Sequence, residues 1–212
     1  MKGPSSLTRY PLAGEPHTVF LKNFIKHPSI AVGDFTYYHD FDGAEDFEKK
    51  NVLYHYETST DRLVIGRFCA IATGTTFQMN GGNHLLDGFS TYPFAIFGNG
   101  WEDGFHITNY EKANRGDTIV GNDVWFGRDA HIMPGVTISD GAIIGAKAVV
   151  TKDVPAYAVV AGNPARVVKY RFDEDTIETL LQIAWWNWDQ DKLSRNINAI
   201  RGSDLDKLLN PA

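Results

Sequence analysis

The stretch "TIVGNDVWFGRDAHIMPGVTISDGAIIGAKAVVTKD", residues 118–153, repeats one hydrophobic pattern every six residues. The first residue of each six-residue unit is small or β-branched, and the third is a bulky apolar residue. Such a fixed period defines a repeat architecture before any single secondary-structure signal is considered. The first positions, which continue beyond residue 153, are Thr118, Val124, Ala130, Val136, Ala142, Ala148, Val154 and Val160. The third positions are Val120, Phe126, Ile132, Ile138, Ile144 and Val150.

The six-residue period indicates a chain that turns a corner after every unit. The apolar third side chain then points inward, the small first side chain packs near the corner, and Gly, Asn or Asp often follows where the backbone turns. Three flat sides of this length make one coil of a triangular prism. Stacked coils share ladder hydrogen bonds and one continuous core, so the pattern predicts an all-β solenoid.

The same register occurs earlier in the chain. A weaker unit contains Ile30 and Val32 and is expected to begin the prism. Cys69 takes the position of a small corner residue, so we do not interpret this single cysteine as a nucleophile. The other early pairs are Leu63 with Ile65, Cys69 with Ile71, and Thr75 with Phe77.

An inserted loop interrupts the repeat. Ile65 and Val120 are 55 residues apart, which is not a multiple of six, so the chain is expected to leave the prism at about residues 78–117. A loop of this length in a compact domain is usually functional or disordered. Its aromatic residues disfavour disorder and indicate that the loop packs against another surface, for example that of a neighbouring subunit. The loop also holds His84, in "MNGGNH", and the aromatic residues Phe89, Tyr92, Phe94, Phe97 and Trp101.

The hydrophobic spacing becomes helical after residue 172. Acidic residues from Asp173 onward suit a helix N-terminus, and a second helix is expected from Asp189 to Ile200. We therefore expect a solenoid domain over residues 1–172 and a C-terminal helical cap over 173–212 that covers the open end of the prism. The tryptophans of "WWNW", residues 185–188, are expected to serve packing.

Composition narrows the function classes. The formal charge of −6 argues against a basic surface for nucleic acid. The single cysteine excludes an intramolecular disulfide, and the first 30 residues contain no continuous apolar segment typical of a signal peptide. No apolar run approaches membrane-spanning length, so we expect no membrane partner and a cytoplasmic location.

The repeat, the loop and the ending together resemble the left-handed parallel β-helix acyltransferases. Within them, "TIVGNDVWFGRDAHIMPGVTISDGAIIGAKAVVTKDVPAYAVVAGNPARVVKYRF" is similar to the xenobiotic O-acetyltransferases. The segments "MNGGNH", "STYPFAIFGNGW", "NVLYHYE" and "WWNW" resemble the streptogramin A (virginiamycin A) acetyltransferase branch. The resemblance covers roughly residues 18–200. It alone supplies the left-handed sense of the predicted helix, because parallel crossovers are ordinarily right-handed.

The resemblance implies a reaction and a base. Acetyl-CoA would donate its acetyl group directly to a hydroxyl of a streptogramin A-type antibiotic, with His84 as the general base. A neutral imidazole can take the hydroxyl proton as the C–O bond forms, which typically contributes ~10²–10⁴-fold to the rate. No metal is expected to take part.

The resemblance also implies binding residues. Trp125 and Ala146 match positions along the pantetheine arm of coenzyme A, and Thr151 matches a contact nearer its nucleotide. Arg166 and Lys169 match basic positions near the 3′-phosphate, where two cations would compensate its charge. Three residues, Tyr37, Tyr54 and Met79, match segments that face the acceptor. A homotrimer is implied as well, with the acceptor site between subunits. Lys147 stands where many relatives carry glycine or another small residue.

Alternatives remain open at this point. The runner-up interpretation is an O-acetyltransferase for chloramphenicol, a sugar or another hydroxylated metabolite. A non-catalytic scaffold would keep the same prism. A γ-type carbonic anhydrase is disfavoured, because it needs three converging histidines and residues 118–165 contain only His131. His131 takes the outward second position of its unit, so we expect it to be a surface residue.

Overall fold

The structure, a computed structural model, describes residues 3–57, 59–202 and 204–211. Its strands are short, and they are distributed over three sheets. The strands are β1 Thr18–Phe20, β2 Ile30–Val32, β3 Tyr37–His39, β4 Val52–Leu53, β5 Leu63–Ile65, β6 Ala70–Ile71, β7 Thr76–Gln78, β8 Thr118–Val120, β9 Trp125–Phe126, β10 His131–Ile132, β11 Thr137–Ile138, β12 Ile143–Ile144, β13 Val149–Val150, β14 Ala158–Gly162 and β15 Ala165–Tyr170. The α-helices are α1 Phe47–Lys50, α2 Glu174–Ile183, α3 Gln190–Gly202 and α4 Leu205–Leu209.

Pairing within the sheets is parallel, apart from the two outermost pairs of one sheet. The seven-stranded sheet has the order β1-β3-β6-β9-β12-β14-β15, in which β1 and β15 pair antiparallel with their neighbours. We call the other two the β2 sheet, with the order β11-β8-β5-β2, and the β4 sheet, with the order β13-β10-β7-β4. From β5 to β13, successive strands enter the β2 sheet, the seven-stranded sheet and the β4 sheet in turn.

The core lies between the three sheets and follows the predicted register. The first positions from Thr118 to Val160 and the third positions from Val120 to Val150 are all at most 3% exposed. The earlier pairs, including Cys69 with Ile71, are buried in the same core. The assignment of inward positions from the six-residue period is therefore confirmed. Burial also raises the pKa of the Cys69 thiol to about 12, which fits a structural role.

One corner of the prism supports the C-terminal helices. Between the β2 sheet and the seven-stranded sheet, each successive coil places a residue with positive φ; these are Phe35, Phe68, Asp123, Gly141 and Tyr157. Phe68 stacks on Phe35 and lies 5.1 Å from the ring of Trp185, centroid to centroid. Tyr157 belongs to the same cluster as Trp185 and Trp186, so the packing role expected for these tryptophans agrees with their burial.

The C-terminal helices pack beside the corner column, and the outer edge of β14 in the seven-stranded sheet is paired with β15. The apolar corner side chains account for this packing, because Phe68 and Tyr157 offer the helices a hydrophobic surface along the side of the prism. That the helices also cover the open end stays a prediction. Within the described residues, none of the helices combines the length and apolarity needed to cross a membrane.

Candidate active site

The loop between β7 and β8 forms one wall of a large cavity. The cavity has a volume of about 970 Å³, and both ends of the loop line it. Gln78 and Met133, at the ends of β7 and β10, form its floor on the β4 sheet. The loop residues of the lining are Gly82, Asn83, His84, Leu85, Leu86, Asp87, Thr91, Lys112, Ala113, Asn114 and Arg115.

A main-chain contact orients the imidazole of His84. Its Nδ1 atom lies 2.7 Å from the carbonyl oxygen of Thr91. A carbonyl oxygen only accepts hydrogen bonds, so Nδ1 carries the proton in the neutral ring and donates it. Nε2 is then the unprotonated nitrogen that can accept a proton. This is the arrangement that a general base requires: a basic atom at a cavity and a second group that holds the ring.

A polar cluster ties the two ends of the loop to the prism. The buried carboxylate of Asp61 accepts hydrogen bonds from both the backbone N–H and the side-chain Nδ2 of Asn80, each 2.9 Å long. Asn80 Oδ1 in turn accepts from the backbone N–H of Arg115 and from Asn83 Nδ2. Sequence reasoning missed Asp61, Asn80 and the Thr91 carbonyl. The asparagines of "MNGGNH" are visible in the sequence, but nothing in their spacing indicates which groups they bind.

Tyr54 is the predicted acceptor residue that lies beside the His84 loop. A Cβ added to Gly82 would come within 2.8 Å of the Tyr54 ring, so only a glycine permits this close approach. The Tyr54 residue itself is 51% exposed, which leaves part of its ring surface open to solvent. The structure thus brings Tyr54 close to the segment that carries His84.

Thr151 lies on the same side of the prism. It follows Val150 of β13, which pairs with Ile132 of β10. Thr151 is therefore the neighbour of Met133 in the row that continues to Gln78, and both of these residues line the cavity. Thr151 is exposed.

Three other predicted residues form a row on the outer face of the seven-stranded sheet. Tyr37 pairs with Ala70, which pairs with Trp125, and the row continues to Lys169 of β15. Tyr37 and Trp125 are 39% and 54% exposed, and with one strand between them they lie about 10 Å apart. Within one chain, these residues and His84 therefore occupy different faces of the prism.

Arg166 and Ala146 complete the predicted coenzyme A positions. Arg166 is exposed on β15 opposite Ala161. Ala146 is exposed at the corner between the seven-stranded sheet and the β4 sheet, where a Cβ on Gly127 would lie 2.5 Å from its backbone nitrogen. The coils therefore stack tightly at this corner. Lys147, the next residue, points outward and pairs with Asp129 at 3.1 Å.

Two interpretations of individual side chains need correction. Met79 was expected to face the acceptor, but it is 0% exposed and belongs to the core, so that expectation is wrong. The alternation that places Thr75 and Phe77 inward simply continues for one more residue. His131 was read as a surface residue, yet it is half-buried and its Nδ1 lies 2.7 Å from Thr76 Oγ1. Burial lowers the pKa of His131, because desolvation disfavours the charged ring.

The structure was searched for side chains that could bind a metal ion. Among the residues described, no group of three or more His, Cys, Asp and Glu side chains is placed to hold a metal ion.

Comparison with known proteins gives the family. A family model described as bacterial transferase hexapeptide (six repeats) matches residues 117–152. A virginiamycin A acetyltransferase from Staphylococcus aureus is 47% identical over 206 residues, which cover 97% of this chain and 92% of that protein. The chain belongs to the hexapeptide-repeat acetyltransferase family. It is accordingly an acyltransferase, and the parallel sheets described above are the fold of that family.

Other relatives differ in the acceptor that their names give. A probable macrolide acetyltransferase from Lysinibacillus sphaericus is 48% identical over 161 residues, covering 76% of this chain and 89% of that protein. A chloramphenicol acetyltransferase from Agrobacterium fabrum is 42% identical over 181 residues, covering 82% of this chain and 83% of that protein. This hexapeptide-repeat acetyltransferase therefore has relatives named for at least three kinds of antibiotic.

Proposed function

We propose that this acetyltransferase transfers the acetyl group of acetyl-CoA to a hydroxyl of a streptogramin A-type antibiotic, with His84 as the general base. The observation that carries the proposal is the contact between His84 Nδ1 and the Thr91 carbonyl, since it leaves Nε2 as the basic atom beside the cavity. The 47% identity to a virginiamycin A acetyltransferase across nearly the whole chain supports this choice of acceptor.

The proposed reaction is a direct transfer. His84 Nε2 takes the hydroxyl proton while the hydroxyl oxygen attacks the carbonyl carbon of the thioester. The resulting tetrahedral oxyanion collapses with cleavage of the C–S bond, and the proton passes from the imidazolium to the departing thiolate. The products are the acetyl ester and coenzyme A, and the imidazole returns to its neutral state.

The cavity suits a large acceptor. Its volume of about 970 Å³ is near the upper end of the range for small-molecule sites, roughly 300–1,000 Å³. Leu85, Leu86 and Met133 supply apolar lining, and the rest of the lining is largely polar and includes the charged side chains of Asp87, Lys112 and Arg115. The volume therefore has room for a macrocycle, and these polar side chains can anchor its polar groups. Tyr54 extends this surface and Tyr37 is a second proposed acceptor contact.

The donor site is proposed on the exposed residues inferred from the family resemblance. Trp125 and Ala146 would contact the pantetheine arm, Thr151 would lie nearer the nucleotide, and Arg166 and Lys169 would bind the 3′-phosphate. Guanidinium and ammonium groups form strong charge-assisted hydrogen bonds with phosphate. Both cations are exposed on β15, where a phosphate can reach them.

A trimer would reconcile these positions. The strands rotate among three parallel sheets, and we propose that they form a left-handed β-helical solenoid. Because His84 and Trp125 lie on different faces of one prism, a complete site would combine the His84 loop of one subunit with the donor residues of its neighbour. The exposed aromatic side chains of the loop, such as Phe94 and Trp101, offer an apolar surface for that contact.

An acceptor panel tests the proposal. Release of coenzyme A is measured with virginiamycin A, a macrolide, chloramphenicol and simple sugars as acceptors, and with acetyl-CoA alone as the control. We expect rapid turnover with virginiamycin A and slow or no turnover with the others. Turnover of chloramphenicol or the macrolide alone would support the acceptors named for the other relatives. No turnover with any acceptor would favour the scaffold alternative.

A further inference from the structure

Asn80 uses every hydrogen-bonding group of its side chain, and its bonds reach both ends of the loop and the prism. Its Nδ2 donates to Asp61 Oδ2 and to the carbonyl of Gly116, both at 2.9 Å. Its Oδ1 accepts from the Arg115 backbone N–H at 2.8 Å and from Asn83 Nδ2 at 3.0 Å. An amide offers two donors and two acceptor sites, so this side chain is fully satisfied.

A buried carboxylate, that of Asp61, fixes Asn80 to the prism. We call Asp61 and Asn80 together the hub. Asp61 is 2% exposed and lies just before β5, which begins at Leu63. Its Oδ2 receives two hydrogen bonds from one residue, the backbone N–H and the side-chain Nδ2 of Asn80. Hydrogen bonds to a carboxylate are about twice as strong as those between neutral groups, so these two bonds attach the loop firmly to the coils.

The hub adjoins the general base without reaching the cavity. Asn83, which bonds to Asn80, also donates to the carbonyl of Ala113 and directly precedes His84. Asn83, Ala113 and Arg115 line the cavity, whereas Asn80 and Asp61 are absent from its lining. The two walls of the cavity, one from each end of the loop, are thus joined through a side chain that does not line the cavity.

We propose that Asp61 and Asn80 are positioning residues that hold the two ends of the loop together and fix the imidazole of His84 for proton transfer. This inference rests on the proposed function of His84. A displacement of about 1 Å at a reacting group can cost ~10²-fold in rate, so loss of the hub should reduce kcat although neither residue meets the substrate.

The contact between Asp61 and Asn80 can be tested by exchanging the carboxylate and the amide between the two positions. Asn80→Asp sets two carboxylates against each other and removes both side-chain donors, so we expect kcat to fall roughly 10- to 100-fold while the KM for acetyl-CoA changes little. In the double variant Asp61→Asn with Asn80→Asp, the new amide can donate to the new carboxylate, so we expect part of that loss to be recovered. Asn99→Asp makes the same chemical change at an exposed site of the loop and should leave kcat within about twofold.

A spectroscopic measurement tests the inference without any acceptor. Long-range ¹H–¹⁵N NMR spectra show which nitrogen of each histidine ring carries the proton, and His84→Gln assigns the His84 signals. We expect the Nδ1-protonated form in the wild type and a shift toward the Nε2-protonated form in Asn80→Asp. Thermal unfolding of each variant establishes that all measurements are made on folded protein.

The outcomes separate the two proposals. Full activity in His84→Ala would refute the proposed function, whereas the NMR comparison would still report on the hub. Loss of activity in His84→Ala together with wild-type kcat and unchanged His84 signals in Asn80→Asp would overturn the positioning role alone. Loss of kcat in Asn80→Asp without any recovery in the double variant would overturn the role of Asp61.

Discussion

At the scale of single residues, the orientation of one histidine depends on a main-chain atom. The Thr91 carbonyl fixes the tautomer of His84, although the two residues are separated by a turn containing Gly88. A side-chain partner such as an aspartate would have left a trace in the sequence, whereas a carbonyl is present at every position. The proposed role of His84 was therefore accessible from the family resemblance, and the orientation of its ring was accessible only from the structure.

Cys69 allows a direct test of the core assignment. Burial raises the pKa of its thiol to about 12, and the side chain is completely enclosed, so the reactive thiolate is both rare and inaccessible. We expect no reaction with Ellman's reagent in the native protein and one equivalent after unfolding in guanidinium chloride. Rapid labelling of the native protein would contradict the assignment.

Arg166 allows a test of the donor site. If its guanidinium binds the 3′-phosphate, Arg166→Ala should weaken the binding of coenzyme A by roughly 10-fold or more and that of dephospho-coenzyme A much less, since charge-assisted hydrogen bonds are worth about 1.5–3 kcal/mol. Titration calorimetry with both ligands measures the difference. Equal losses for the two ligands would indicate structural damage instead of a lost phosphate contact.

At the scale of elements, the six-residue period predicts the strands well where the coils are regular. It fails at the first coil, because residues 40–51 are inserted between β3 and β4 and carry the short helix α1. Phe47 of that helix packs against Tyr38 in the core, a contact that the six-residue period does not reveal. The antiparallel strand β15 was missed for a similar reason, since its role is to pair with the last coil.

Close stacking of the coils is testable at Gly66. A Cβ there would lie 2.3 Å from the backbone oxygen of Gly121 on the next coil, and neither backbone can move without breaking the ladder. We expect Gly66→Ala to lower the free energy of unfolding by roughly 1–3 kcal/mol, as is typical of overpacking. Urea denaturation measures this change.

Gly202→Ala is the matched control for that substitution. No atom lies within 4 Å of a Cβ added at Gly202, which ends α3. Its stability should therefore change little or increase slightly, because alanine favours the helix. Equal stability of the Gly66→Ala variant and the wild type would show that the coils are not packed as closely as described.

At the scale of the whole molecule, the proposed site is divided between faces. One chain presents His84 beside the β4 sheet and presents Trp125 and Lys169 on the seven-stranded sheet. Sequence repeats place residues on faces, but they do not specify which faces of different subunits meet. The sequence therefore predicts which residues share a face of the prism, but it does not predict how the faces of different subunits combine into a complete site.

Mixed assemblies test this division. We expect the wild type to sediment as a trimer. At limiting acetyl-CoA, where Arg166→Ala subunits turn over slowly, we expect inactive His84→Ala subunits to gain activity when the two variants are refolded together. Some interfaces of a mixed ring would then combine an intact loop with an intact donor face. Activity of the mixture no higher than that of either parent, in a verified mixed trimer, would contradict a site shared between subunits.

The measurement that tests the central claim most directly is the acetylation rate of His84→Ala with acetyl-CoA and a streptogramin A acceptor. Loss of a general base should lower kcat by at least ~10²-fold, while the affinity for acetyl-CoA, measured by calorimetry, should remain close to that of the wild type. A near-wild-type rate in this variant would contradict the assignment of His84 as the base.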